Sequence, residues 1–156
     1  METLLAAVEA SGTAAALRTG RWSYAAVNAA HILGIALLVG PIMTLDLRML
    51  GLWRSVPLAP LAVVLRPVAA SGLAVAVAAG LALFSVQAAH YGDLALFQAK
   101  LALIIAGAGG ALALHRAAGP TLERAAPGRL RLHALLSISC WLGALVCGRL
   151  IAFVEG

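Results

Sequence analysis

Four histidines are the side chains of this chain whose type and spacing are best suited to chemistry: His31, His90, His115 and His133. Each lies in or at the end of a different apolar stretch, two toward one end of these stretches and two toward the other. Imidazole ligates haem iron and transition metals. Two imidazoles that face each other at one height, from neighbouring helices, form a bis-histidine b-haem site. We therefore predict that the four histidines ligate metal, as one or two b-haems.

The heights of the histidines can be compared along the chain. His115 follows Asp93 by 22 residues, and Glu155 follows His133 by 22 residues. If both acidic residues mark one membrane edge, straight helices place the two histidines at one height, about 33 Å from that edge. The heights of the other pair, His31 and His90, agree less well, because His31 is expected to lie a turn or two deeper in the membrane than His90.

Three further residues are predicted to help hold a cofactor. Lys100 and Arg149 each lie about two turns inside a span, a costly place for a cation. They invite an anion or a polar oxygen, such as a haem propionate, a quinone carbonyl or a lipid headgroup. Gly34 lies one turn from His31 and would leave room for a porphyrin.

The remaining polar residues are interpreted as structural. Asp46 and Arg48 are predicted to pair at the inner boundary of the first span, and Ser137 is read as an ordinary helix–helix hydrogen bonder. Cys140 and Cys147 share one face of the fourth stretch and could offer soft ligands to Cu(I). A role as small buried residues is the favoured explanation of these cysteines.

The elements that position these residues follow from composition. The chain has 156 residues, of which 63% are hydrophobic and 11% charged, with a mean hydropathy of +1.00. A soluble domain of this size cannot bury so much apolar surface. The composition excludes a soluble enzyme, a disordered chain and a nucleic-acid binder, despite a net charge of +5.

Four stretches are long and apolar enough to cross a bilayer as helices. They cover about 23–45, 68–89, 94–115 and 132–154, and they predict one all-α domain, a four-helix transmembrane bundle. Residues 1–20 are predicted to form an interfacial amphipathic helix.

The distribution of arginines predicts the orientation of the bundle. The links predicted at 46–67 and between the third and fourth spans contain seven basic residues: Arg48, Arg54, Arg66, Arg116, Arg124, Arg129 and Arg131. The positive-inside rule places both links in the cytoplasm. Both termini would then face outward from a bacterial inner membrane.

Several runs resemble an uncharacterised family of bacterial four-span membrane proteins, which is distantly similar to the CopD-type copper-resistance membrane proteins. The runs are HILGIALLVG from His31, LDLRMLG from Leu45, FQAKLAL from Phe97, Leu114-His115-Arg116, Trp141-Leu142 and GRLIA from Gly148. The resemblance implies the four-span architecture more than an activity. It includes His31, Asp46, Arg48, Lys100, His115 and Arg149, but neither His90 nor His133.

Three functions remain open at this level. The first is a b-type cytochrome that carries electrons in the membrane and exchanges them with quinone or a partner oxidoreductase. The second is a copper-handling transporter or chaperone of CopD type. The third is a cofactor-free accessory subunit of a larger membrane complex. The expected partners are membrane lipid, quinone, other subunits of such a complex or further copies of this chain.

Overall fold

Long helices dominate the computed structural model, which describes residues 2–119, 121–122 and 124–154. The helices are α1 Glu2–Glu9, α2 Gly12–Thr19, α3 Arg21–Leu50, α4 Leu58–Phe84, α5 Ala88–Asp93, α6 Ala95–Ala118 and α7 Pro127–Val154. Four segments are long and apolar enough to span a membrane: α3, α4 continued to Asp93, α6 and α7. The predicted all-α four-span architecture is therefore confirmed, and the chain is a multi-pass membrane protein.

The first two spans are longer than the predicted ones. α3 continues beyond Leu45 to Leu50, where Gly51 ends it with a φ of 114° and donates to the Arg48 carbonyl. Glycine adopts this left-handed conformation without a Cβ clash, and it commonly ends helices. Because α4 begins at Leu58, the predicted link at 46–67 shortens to a loop at 51–57. Asp46 therefore lies inside a membrane helix.

The second span bends near its far end. A 3₁₀ turn at Ser85–Gln87 separates α4 from α5, and Gln87 leaves the helical conformation with φ −145° and ψ 55°. His90 consequently belongs to the short helix α5 and not to the long helix α4.

The N-terminal segment forms two short helices instead of one. Ser11 caps α2 by accepting a hydrogen bond from the Ala14 amide. Glu9 accepts from the Ala89 amide at 2.9 Å, and Arg18 donates to the Val86 carbonyl at 3.3 Å. These contacts hold the segment against the bend of the second span. An interfacial position for it stays a prediction.

The closest helix contact joins α3 to α4 at two glycines. A Cβ on Gly34 would lie 2.5 Å from the Ala76 nitrogen, and one on Gly72 would lie 2.5 Å from the Leu38 nitrogen. The two backbones therefore touch, as small residues allow in membranes. The space beside Gly34 is filled by the α4 backbone. Gly34 therefore serves helix packing and does not provide room for a porphyrin.

α4 and α6 lie on opposite sides of the central pair α3 and α7. α3 packs on α4 and α7, and α6 packs on α7, whereas α4 and α6 form no extended interface. They meet near their ends, where Phe84 stacks on Phe97 at 5.2 Å and Arg66 donates to the Gly119 carbonyl at 3.5 Å. A gap is left between them over the middle of the bundle.

Candidate ligand-binding cavity

A cavity of about 560 Å³ fills the space between α4 and α6. It lies in the half of the bundle nearer the arginine-rich end, the end where α3 and α6 finish and α4 and α7 begin. Apolar side chains form most of its wall, among them Leu38, Ile42, Leu73, Ala108 and Leu112. The volume and the apolar lining are those of a small-molecule site.

Asp46 of α3 is the most deeply buried polar residue of this cavity. Its side chain is only 2% exposed, and its Oδ2 has no hydrogen-bond partner. The Ser137 hydroxyl of α7 is close enough to interact with the carboxyl group. A buried carboxyl with an unpartnered oxygen is expensive and demands an explanation.

Three residues of α7 line the same cavity at intervals of four: His133, Ser137 and Trp141. Residues spaced by four share one helix face and lie about 6 Å apart along the axis. This face of α7 therefore places an imidazole one turn from Ser137 toward the arginine-rich end, and an indole one turn from Ser137 in the opposite direction. Asp46 stands opposite the middle member.

Two of these three α7 residues also carry buried polar atoms without a partner, namely His133 Nδ1 and Trp141 Nε1. The indole packs against Gly107 of α6, where a Cβ would lie 3.0 Å from its Cε2. Together with Asp46 Oδ2, these atoms leave three residues of the cavity wall with unused hydrogen-bonding capacity. Such a set fits a ligand with both hydrogen-bond acceptors and donors.

The mouth of the cavity opens between α4 and α6. Exposed apolar residues of both helices line it, including Val63, Pro67 and Ala70 of α4 and Ala111 and Leu112 of α6. These residues belong to membrane-spanning segments. The mouth therefore lies on the apolar outer surface of the membrane-spanning helices.

The inner histidines reach this cavity from different helices. His133 of α7 is half-buried, with Nε2 toward Gly110 of α6, whereas His115 in the last turn of α6 is exposed at the cavity's edge. Both line the cavity, as does Arg66 of α4. Glu155, the marker used to predict the height of His133, lies outside the described residues.

His31 occupies the other half of the bundle and faces α4. Its Nδ1–H donates to the Ala76 carbonyl at 2.8 Å, and a Cβ on Gly80 would lie 3.0 Å from its ring. This hydrogen bond sets the tautomer and leaves Nε2 for another partner, as in many metal-ligating histidines. Lys100 lies close enough for its charge to act on His31.

The other predicted outer residues lie apart from this pair. His90 is exposed on α5 beside Tyr91, with ring centroids 5.7 Å apart. Arg149 is exposed on α7, with its guanidinium 5.0 Å from the Phe153 ring centroid. Lys100 instead packs along Gly148 of α7, with its ammonium 5.7 Å from the Phe97 centroid. The contacts of these residues do not bring them together in one site.

The predicted pairing of Asp46 with Arg48 is wrong. Arg48 donates to the carbonyls of Val56 and Arg54 in the loop after α3. One turn of helix separates the buried carboxyl from that loop, because α3 continues to Leu50.

Copper ligation gains no geometric support from the part of the chain that the structure describes. Within it, no three His, Cys, Asp or Glu side chains form a group suited to a metal ion. Cys140 and Cys147 are half-buried free thiols.

No protein-family model, curated protein or solved structure matches the chain. The resemblance to the CopD-type proteins stays a prediction.

Sequence reasoning assigned Asp46 and Ser137 to structural roles and overlooked Trp141 as a polar group. Two signals pointed the other way. Gly51 is a helix-ending residue that would have extended the first span past Asp46. His133, Ser137 and Trp141 also recur at the four-residue spacing of one helix face.

Proposed function

We propose that the protein is a membrane electron-transfer component that binds a lipid-soluble quinone in the cavity between α4 and α6. One observation carries the proposal: three residues that line an apolar cavity between membrane-spanning helices, Asp46, His133 and Trp141, each carry a buried polar atom without a hydrogen-bond partner. A quinone ring suits the apolar walls, and its oxygens suit the polar floor. The isoprenoid tail would pass through the mouth into the bilayer.

The chemistry of the floor favours quinone over a phospholipid. An acyl chain cannot form hydrogen bonds with the indole N–H or the carboxyl group of the cavity wall. A phosphate headgroup needs cations beside it, whereas the unpartnered polar atoms belong to Asp46, His133 and Trp141, and the lining cation Arg66 already donates to the Gly119 carbonyl. The oxygens of a quinone and of its quinol both accept hydrogen bonds, and the quinol hydroxyls also donate them.

Fluorescence of Trp141 provides a direct test. Trp22 and Trp53 are 81% and 53% exposed, whereas Trp141 is 3% exposed. In the Trp22→Phe/Trp53→Phe variant in lipid nanodiscs, a short-chain benzoquinone should quench the remaining tryptophan in a saturable way. Organic extraction of the purified protein should also recover membrane quinone.

A matched pair of variants locates the binding site. Ala111→Trp places a bulky side chain at the mouth and should weaken quinone binding, measured by extraction, at least about tenfold. Ile105→Trp lies on the exposed face of the same helix, outside the cavity lining, and should leave binding unchanged. Equal binding by both variants, or recovery of phospholipid alone from the wild type, contradicts the proposal.

A b-haem is the second candidate, favoured because His115 and His133 line one cavity beside the cation of Arg66. These imidazoles would ligate the iron and Arg66 would neutralise a propionate, while the haem would supply one-electron chemistry. The protein from haem-supplied cells should then show a Soret band that His115→Ala and His133→Ala remove and His90→Ala retains.

Loss of this band in His31→Ala alone would place the haem in the other half and leave the cavity to quinone. A colourless preparation contradicts haem binding.

The proposed setting is the bacterial inner membrane, with the arginine-rich end in the cytoplasm. The arginines near the ends of the long helices support this orientation through the positive-inside rule. The cavity would then lie in the cytoplasmic half of the bilayer.

A further inference from the structure

The charges around Asp46 do not provide it with an obvious counterion. The charged or titratable residues that line its cavity are Arg66 on α4, His115 on α6 and His133 on α7. Arg66 donates to the Gly119 carbonyl, and Arg48 of the same helix as Asp46 donates to two loop carbonyls. Among the described residues, the neutral hydroxyl of Ser137 is the side-chain group that interacts with the Asp46 carboxyl.

A buried carboxyl without a counterion contributes little to folding stability, and it is better suited to binding a ligand. A salt bridge would hold it permanently ionised, whereas a neutral partner and an apolar wall let its protonation follow what binds beside it. The unpartnered Oδ2 is the oxygen left for that ligand.

We infer that Asp46 is the proton-exchanging residue of the quinone site. This inference rests on the proposed function. In the ionised form, Oδ2 accepts a hydrogen bond from a quinol hydroxyl; in the protonated form, it donates one to a quinone carbonyl. In the transfer itself, the quinol O–H bond breaks, an O–H bond forms on Oδ2, and the electron pair stays on the ligand oxygen.

Two kinds of neighbour support this proton transfer: a donor for the ligand oxygen that loses the proton, and imidazoles that can accept the proton from Asp46. The Trp141 indole N–H is a donor that cannot accept a proton; its nitrogen is buried near Gly107 without a partner, and a negative ligand oxygen that reached it would gain a hydrogen bond. His133 lies two turns from Trp141 toward the arginine-rich end, and the exposed His115 lies at the edge of the same cavity. In this inference, the two imidazoles pass the proton from Asp46 to water at that end.

Ligand affinity as a function of pH tests the inference. In the variant that retains Trp141 alone, benzoquinone and the corresponding quinol are titrated between about pH 5.5 and 9. The ratio of quinol to quinone affinity should rise with pH, because deprotonated Asp46 accepts from quinol and protonated Asp46 donates to quinone. The rise should be roughly tenfold, the value of one charge-assisted hydrogen bond.

Asp46→Asn preserves the shape of the side chain but cannot exchange a proton. It should still bind quinone, while the affinity ratio becomes independent of pH. Asp46→Glu should retain the pH dependence. Infrared difference spectra provide a second readout, since quinol binding should perturb a carboxyl band in the wild type that Asp46→Asn lacks.

The outcomes separate the two proposals. If the wild type binds neither quinone nor quinol, the proposed function fails. If it binds both and Asp46→Asn keeps the full pH dependence, quinone binding stands and the role of Asp46 is overturned. Should Asp46→Asn fail to fold, Ser137→Ala substitutes for it, because loss of the hydroxyl should move the midpoint of the pH dependence. An unmoved midpoint counts against the inference.

Discussion

Ser137 of α7 and Asp46 of α3 are both buried in the wall of one cavity, where the hydroxyl interacts with the carboxyl group. The pair joins the two central helices where both carry side chains that are at least 95% buried. It leaves one carboxyl oxygen unpartnered. The same contact thus links the packing of the bundle to the chemistry of its cavity.

Ser137→Ala should destabilise the protein by about 1–3 kcal/mol, because the buried Asp46 carboxyl would lose its partner. Thermal unfolding in detergent measures the change. Ser139→Ala is the matched control, since its exposed hydroxyl donates to the Leu135 carbonyl within α7. Equal stability of the two variants would show that the pair contributes little.

Gly34→Ala should lower stability by about 1–3 kcal/mol, because its Cβ would collide with the Ala76 backbone and force α3 away from α4. Gly40→Ala on the same helix meets nothing within 4 Å and should be neutral or slightly stabilising. Unfolding by a denaturing detergent compares them. A neutral Gly34→Ala would refute the close crossing.

Gly80→Ala should displace the His31 ring, because the added Cβ would lie 3.0 Å from its Cε1. Nitrogen NMR of labelled histidine is expected to show a protonated Nδ1 in the wild type, from the hydrogen bond to Ala76. In the variant, that Nδ1 signal should shift. Gly109→Ala, which meets nothing within 4 Å, should leave the signal in place; an identical effect of both would contradict the assigned geometry.

Cysteine labelling tests the orientation of the bundle. In a Cys140→Ser/Cys147→Ser background, Arg54→Cys should react with an impermeant thiol reagent only after the membrane is opened. Asp93→Cys, at the other end of the bundle, should react in intact spheroplasts. The reverse pattern would place the arginine-rich end outside, against the positive-inside rule.

The sequence alone determined the architecture. Its apolar composition and four long apolar stretches predicted an all-α membrane bundle, because a backbone in lipid must satisfy its own hydrogen bonds. The length of an apolar stretch is a local property of the sequence, so it can be recognised without knowing which helices pack against it. Helix ends were less well predicted, since Asp46 looked like a boundary residue until Gly51 was seen to end α3 one turn later.

Tertiary structure decided which polar residues meet. Spacing placed His115 and His133 near one height, and both line one cavity. It could not show that Asp46 faces Ser137, that Gly34 is filled by Ala76, or that Arg149 lies apart with Phe153. These relationships depend on how the helices rotate and cross. Small residues and buried polar contacts on several helices together determine the rotation and crossing of the helices. The sequence of one helix alone therefore does not determine which polar residues meet.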